Sequence, residues 1–431
     1  MRRDRLGLRL FLTVGLLGVL APVSAGAAQQ PTGMLEGTFG GNAYGTLANS
    51  RVADDIKTKL GRSAYITSGC DGTKGLLRTN RVDSVRAGKV ARADTVYTPA
   101  KTDKTETAGS VRHTARIEDL SLLDGMITAD AVVAKAHTRA DENSASSNVR
   151  GSELVGLQVG GDPSRVRAGK AVSLGRIGHV VFKDVTRTGD GRDRSGISVN
   201  MITVVVERAN RFGLPIGARI VVGHAASLFN RTQPVGVVDG DGFAASAKSS
   251  AGDVENKVGR AAAIYLPCRG TDGKVLSNNV KVVDGAGLVV SATGRTTTQG
   301  DVSGSSAYAR TTAMLEDVHV LGDLITADSA KAVARADFDG TQGTASAWGS
   351  EFVNLSVGGV PTATPPPNTE VNLPPVGRVI LNEQTLSGGP DGARARVIMI
   401  HVFVDRDNAY GLPVGTEIIV SSAKGAARRF E

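Results

Sequence analysis

The chain nearly repeats itself 198 residues on: Gly61-Arg62 returns as Gly259-Arg260, and Cys70 returns as Cys268. Leu123-Asp124-Gly125-Met126-Ile127-Thr128-Ala129-Asp130 returns as Leu321-Gly322-Asp323-Leu324-Ile325-Thr326-Ala327-Asp328. Gly151-Ser152-Glu153 matches Gly349-Ser350-Glu351, and Gly213-Leu214-Pro215 matches Gly411-Leu412-Pro413. Self-similarity at a fixed offset means one fold used twice, its spacing held by packing inside each copy. A period of about 200 residues is too long for a solenoid or a propeller blade. The repeat therefore predicts two domains, 34–229 and 242–427, joined by a short linker at 230–241 and touching each other. It also tests chemistry, because a catalytic group of the ancestral unit should appear in both copies.

Each copy has enough chain to bury a sizeable core. The 54 glycines among 431 residues argue for many turns, since helix interiors penalise glycine. With one Trp, six Tyr and ten Phe, the cores must be filled by Val, Ile, Leu and Ala. Ile127, Ala129 and Ala131 alternate with polar neighbours, as do Ile197, Val199 and Met201 ahead of an apolar stretch from Ile202 to Val206. Asp190-Gly191 and Asp391-Gly392 read as hairpin turns. The Pro-rich stretch Pro361 to Pro375 reads as an extended crossover between sheets. The fold class is all-β: two tandem homologous antiparallel β-sandwich domains behind a cleaved signal peptide.

That leader is residues 1–27. Arg2, Arg3, Arg5 and Arg9 precede an apolar run from Leu10 to Ala21, and Ala25-Gly26-Ala27 supplies the small-x-small cleavage pattern. General secretion fits it better than twin-arginine export. After cleavage no segment is expected to span a membrane, and the C-terminal residues carry no apolar anchor. The expected location is secreted or extracellular, with cell-wall association. Removing the leader lowers the net charge from +8 to +5, with Arg and Lys interleaved with acids and no basic run that forms a groove. Nucleic acid is not an expected partner. An anionic cell-wall polymer or a surface protein is.

The chemical candidates are few. Of His113, His137, His179, His224, His319 and His401, none recurs in the other copy, so a zinc site or triad shared by both copies is not expected. Acids do recur: Glu118-Asp119 as Glu316-Asp317, Asp130 as Asp328, Asp141 as Asp339 and Glu153 as Glu351. A glycosidase would set two of them across a cleft. A sugar cleft also wants aromatic platforms, and the single Trp348 stands opposite Arg150. Asp239 with Asp241 is the best guess for calcium, although the later ligands of an EF-hand loop are missing. Cys70 and Cys268 either bridge the copies about a pseudo-twofold axis or stay separate thiols. No catalytic, cofactor-binding or metal-ligating residue is assigned, and no cofactor is expected.

The succession Leu120 to Ala131 and Gly156-Leu157-Gln158-Val159-Gly160-Gly161 resembles the actinobacterial choice-of-anchor P family. The second copy resembles it more closely, through Leu324 to Asp328, Leu355 to Gly359, Pro367-Asn368-Thr369, Leu381-Asn382-Glu383-Gln384 and Ile418-Ile419-Val420. The resemblance implies an exported cell-envelope or extracellular protein without established activity, and it supplies no catalytic residue. The chain departs from the pattern in lacking a C-terminal anchor and in having Phe182-Lys183-Asp184 where the second copy has Leu381-Asn382-Glu383. The expected function is non-enzymatic, of structural or adhesion type. A wall-polymer or glycan-binding module is the first alternative and an extracellular hydrolase the second.

Overall fold

The computed structural model describes residues 35–52, 55–60, 62–69, 72–163, 167–232, 236–248, 257–280, 283–284 and 288–429; the expected leader and Cys70 lie outside them. Among the described residues every regular element is a strand. Among them no helix is long and apolar enough to cross a membrane. The first copy comprises β1 (Thr38–Val52), β2 (Asp55–Leu60), β3 (Ile66–Ser68), β4 (Arg78–Val82), β5 (Val85–Ala87), β6 (Ala91–Ala93), β7 (Thr95–Lys104), β8 (Ala108–Leu122), β9 (Ile127–Asp141), β10 (Ala145–Asn148), β11 (Glu153–Val155), β12 (Gln158–Val159), β13 (Asp162–Pro163), β14 (Ala171–Ser173), β15 (Gly178–Gly189), β16 (Arg194–Val206) and β17 (Arg219–Asn230). The second copy repeats the series one for one as β18 (Gly236–Lys248), β19 (Lys257–Ala261), β20 (Ile264–Leu266), β21 (Leu276–Val280), β22 (Val283–Asp284), β23 (Val289–Ser291), β24 (Thr293–Ser303), β25 (Ser306–Val320), β26 (Ile325–Phe338), β27 (Gly343–Ser346), β28 (Glu351–Val353), β29 (Ser356–Val357), β30 (Val360–Pro361), β31 (Thr369–Leu373), β32 (Gly377–Gly389), β33 (Gly392–Val404) and β34 (Glu417–Arg429).

Each series builds two antiparallel sheets. In the first copy a 7-stranded sheet runs β14-β15-β16-β17-β1-β2, with β3 also on β1. A 10-stranded sheet centres on β8 and β9; β7 and β4 extend one side, while β10, β11 and β12 share the far edge of β9. The second copy makes the same pair from β18 to β34. The sheets pack face to face, β16 and β17 over β9 and β1 over β8. Between them lies an aliphatic core that includes Ile117, Leu122, Val132, Val199, Ile202 and Ile220, with Phe182 its one buried aromatic. At one end Phe39 and Phe229 meet at 4.9 Å in a smaller cluster with Leu35 and Val111.

The long strands do not keep one face buried from end to end. On β8, Val111, His113, Ala115 and Ile117 face the core before Asp119, and Leu120 and Leu122 face it afterwards. On β16 the buried set changes from Ile197 and Val199 to Ile202, Val204 and Val206. The ladders skip one row at the change and resume in unchanged register. Between the pairs Glu118–Ala131 and Leu120–Ala129, the row Asp119–Asp130 is left out. In the 7-stranded sheet the skipped row is Lys183, Met201, Gly223 and Gly45. Left-handed residues mark these rows: Asp119 (φ +50°), Lys183 (φ +50°) and Gly223 (φ +68°), matched in the second copy by Asp317 (φ +57°), Asn382 (φ +52°) and Ser421 (φ +50°). One left-handed residue turns the pleat over, so alternate side chains beyond it meet the same core.

The Pro-rich stretch behaves as expected. It leaves the 10-stranded sheet at β30 and enters the 7-stranded one at β31. The expected linker 230–241 needs correction, because β17 runs to Asn230 and β18 begins at Gly236. Residues 34–431 form one compact unit.

Gly223 sits on the skipped row where an added Cβ would come 2.8 Å from Val132 Cγ1 and 3.1 Å from Met201 Cβ. Gly223→Ala should cost about 2–4 kcal/mol, from the left-handed backbone plus overpacking. Gly217, with φ +84°, faces open space, so Gly217→Ala should cost only about 1 kcal/mol. Urea unfolding of the two variants checks the difference; equal costs would mean that packing at the row is unimportant.

Candidate functional site

The two copies meet through polar aromatic contacts. Tyr44, Tyr65 and Val221 cluster with Ile264, and Tyr265 and Leu276 pack against them. The rings of Tyr65 and Tyr265 cross edge to face at 5.5 Å. Arg62 lies 5.0 Å from the Tyr65 ring and 5.5 Å from Tyr44, and its backbone N–H donates to Asn278 Oδ1 at 2.8 Å. Asn278 Nδ2 donates back to the Arg62 carbonyl and to that of Ala263. The contacts are reciprocal: β2 approaches β21, its mirror β19 approaches β4, and β3 meets its own counterpart β20. That is the pattern of an isologous, twofold interface. Cys268, just beyond β20, is disulfide-bonded. The alternative of separate thiols fails for Cys268; the one other cysteine of the sequence is Cys70, outside the described residues.

Asp239 and Asp241 belong to this region, not to a linker. Both lie on β18, where Lys424 Nζ reaches Asp239 Oδ2 at 3.0 Å and Arg260 Nη1 reaches Asp241 Oδ2 at 3.3 Å. Their charges are already answered by cations, which removes the reason to place calcium there. No group of three or more metal-ligating side chains is assembled among the described residues.

One pair of recurrent acids holds backbone, and the others meet side chains or line a cavity. Asp141 Oδ1 accepts from the N–H groups of Asn143 at 2.9 Å and Ser144 at 2.7 Å. Asp339 Oδ1 accepts from Thr341 and Gln342, both at 2.8 Å. These bonds pull both carboxyls below the usual carboxylate range. Asp328 Oδ2 accepts from Asn354 Nδ2 at 2.5 Å, and Glu351 pairs with Lys331 at 2.8 Å. Glu118 pairs with Arg116 at 2.9 Å. Glu153 lines a cavity of about 350 Å³ with Lys183 and Met201. Lys183 donates to the Ser152 carbonyl in the turn before β11, whereas Asn382 donates to that of Pro365 in the crossover, so the two differing residues secure different segments.

The histidines are placed singly. His179 pairs with Glu207 at 2.8 Å and His401 with Glu383 at 2.6 Å, the latter bond holding Glu383 below its usual range. His319 lies between Asp323 at 2.6 Å and Asp317 at 3.1 Å, and these bonds raise its pKa. His224 Nδ1–H donates to Asn200 Oδ1 (2.7 Å), and the ring stacks on Tyr44 at 4.5 Å. His113 Nε2 meets Ser68 Oγ at 2.8 Å, the one serine–histidine contact among the described pairs. It does not resemble a nucleophile with its base. The ring is sealed in the core against the backbone of Gly41, where a Cβ would come within 2.7 Å, and Nδ1 has no acid to orient it.

One concavity recurs that the list of recurring acids missed. Asp103, Ser110, Arg139, Asp141 and Ser144 line a cleft of about 490 Å³. At the matching positions Asp301, Tyr308, Asp337 and Asp339 line one of about 400 Å³. The signal was available, because Asp103 and Asp301 stand at the common offset. The exposed Trp348, at 86% accessibility, occupies the turn where the first copy has Arg150.

Burial presses both His113 and His224 down to about 3, with His224 also acting on His113, and Arg62 on His224. A histidine whose folded pKa lies below its unfolded value near 6.5 gives stability that is complete above 6.5 and is lost as pH falls toward 3. A fall of this size corresponds to roughly 4–5 kcal/mol per ring. His224→Gln should therefore flatten the loss of unfolding free energy between pH 6.5 and 3, measured by urea titration at each pH; an unchanged slope would show that this ring is not held neutral. Separately, the denatured chain should react with no maleimide until reductant is added.

No protein-family model and no curated protein matches the chain. Among solved structures it is similar to a point mutant of transferrin-binding protein B, described as a vaccine antigen, from Haemophilus parasuis Hp5. The identity is 9%, covering 91% of this chain and 77% of that one, and the TM-score is 0.12.

Proposed function

We propose that this is an exported, non-enzymatic protein of structural or adhesion type that works at or beyond the cell surface. The observation that carries the reading is what the recurrent polar groups do. Asp141 and Asp339 clamp turns, and Asp119 and Asp317 mark strand reversals. The copies share the residues that hold the fold, and shared residues are where an ancestral active site would persist. The leader at 1–27 and the resemblance to the choice-of-anchor P family support the location, as does a disulfide at Cys268, since such bonds persist in oxidising compartments. Glycan or wall-polymer binding is the second reading, favoured by the paired clefts of Asp103 with Asp141 and Asp301 with Asp339.

Fractionation of the native host into cytosol, membrane, wall and medium tests the proposal. The protein should occur in the wall or medium fraction as a chain beginning at Ala28, and recovery of the intact chain from cytosol would overturn it. The mature protein should also show no turnover of glycan or ester substrates; activity abolished by Glu153→Ala or Glu351→Ala would favour the hydrolase instead.

A further inference from the structure

We propose that the outer face of the first copy's 10-stranded sheet binds a linear anionic glycan across Lys101, Arg112, Lys135, His137 and Arg139. The register places these side chains together. Lys101 stands directly opposite Arg112 on β7 and β8, and Arg112 directly opposite His137 on β8 and β9. Arg139 and Lys135 lie two residues either side of His137 and so share its face. Like charges directly opposite each other destabilise a sheet. Here Lys101 faces Arg112 directly, with Lys135 and Arg139 on the next strand beside His137, a local conflict of the kind that marks a binding surface.

The positive charge is not answered from within. Lys101 has Asp103 at 3.0 Å, but no carboxylate among the described residues pairs with Arg112, Lys135 or Arg139. Arg139 Nε instead donates to His137 Nε2 at 3.4 Å. The His137 pKa is lowered first by burial and then by Arg112 and Arg139, as expected beside uncompensated cations. The second copy provides an internal comparison. Its matching residues are Gln299, Arg310, Val333, Arg335 and Asp337. There Asp337 takes up Arg335 through bonds of 2.6 and 3.0 Å, and Val333 is buried. Duplication has left one face cationic and the other internally paired.

At one end the row borders the cleft of Asp103, Ser110, Arg139, Asp141, Ser144 and Ser146, whose two carboxylates bound the cationic surface and whose serines stand beside it. Guanidinium and ammonium groups answer anionic substituents, and the neighbouring hydroxyls suit a hydroxyl-rich backbone. The inference rests on the glycan-binding reading of the surface.

Titration calorimetry of the mature protein with polygalacturonate, dextran sulfate, neutral dextran and a random single-stranded DNA tests it. Both anionic glycans should bind, more weakly as salt rises from about 0.05 to about 0.3 M, while neutral dextran should not. Arg112→Gln with Arg139→Gln should weaken binding by at least about tenfold. Arg112→Lys should retain most of it, and Arg310→Gln should leave it unchanged. No binding of either anionic glycan at low salt would overturn the proposal. So would equal losses from Arg310→Gln, or DNA binding as tightly as the glycans. None of these results would alter the outcome of host fractionation, so the two proposals fail separately.

Discussion

The structure depends on keeping aliphatic residues of long strands turned toward one core. A strand alternates faces at every residue, and the central strands here run for 12 to 15 residues. In each of these the alternation is reversed once, at a row that the ladder omits. Because the adjacent long strands β8 and β9, and β15, β16, β17 and β1, omit a shared row, hydrogen-bond register survives the reversal. The cost is a left-handed residue in alternate strands, which glycine, asparagine and aspartate bear most easily. Lys183 and Ser421 occupy the same conformation with help. Lys183 donates to the Ser152 carbonyl, and Ser421 Oγ donates to that of Ala330 at 2.7 Å. Outside these rows the cores need only Val, Ile, Leu and Ala, so the low aromatic content is sufficient.

The contact between copies follows from the same duplication. A unit that meets its own image does so through reciprocal contacts, and β2 with β21 and β4 with β19 form such a pair. The interface is nevertheless asymmetric in chemistry. Asn278 bridges to the backbone of Arg62, while Arg260 turns to Asp241 and the Tyr265 hydroxyl. Burial raises the pKa of Tyr65 and Tyr265, which keeps both hydroxyls protonated beside their arginines. Once both halves belong to one chain, each side of the interface can change without its image changing too.

Much of this was legible. Period-two alternation located β9, β16 and their counterparts, and the glycine-rich turns marked where hairpins close. Asp190 reads as a turn residue and proves to be one, its Oδ1 accepting from three successive backbone N–H groups. The reversals were not legible. Met201-Ile202 looks like a continuous apolar run, and nothing in the letters says that Asp119 or Lys183 is left-handed. Asp239 and Asp241 misled for a related reason. Asp-x-Asp-Gly is loop chemistry when the backbone curls, whereas on a strand the same spacing puts both carboxylates on one face, here opposite Lys424. Reading 230–241 as a linker concealed that strand.

Comparing the copies separates what the fold demands from what it permits. Turn clamps and reversal rows persist in backbone conformation even where the residue changes, as Lys183 to Asn382, Gly223 to Ser421 and Gly156 to Asn354 (φ +62° and +49°). The outer sheet faces and an exposed turn diverge instead: His137 against Arg335, Arg139 against Asp337, and Arg150 against Trp348 in the turn. These positions point away from the core, so substitution there costs little stability and any chemistry fits within the same sandwich. The divergence between the copies is therefore concentrated on the flat, solvent-facing ladders. There, charge opposite charge is the feature that neither packing nor turn geometry explains.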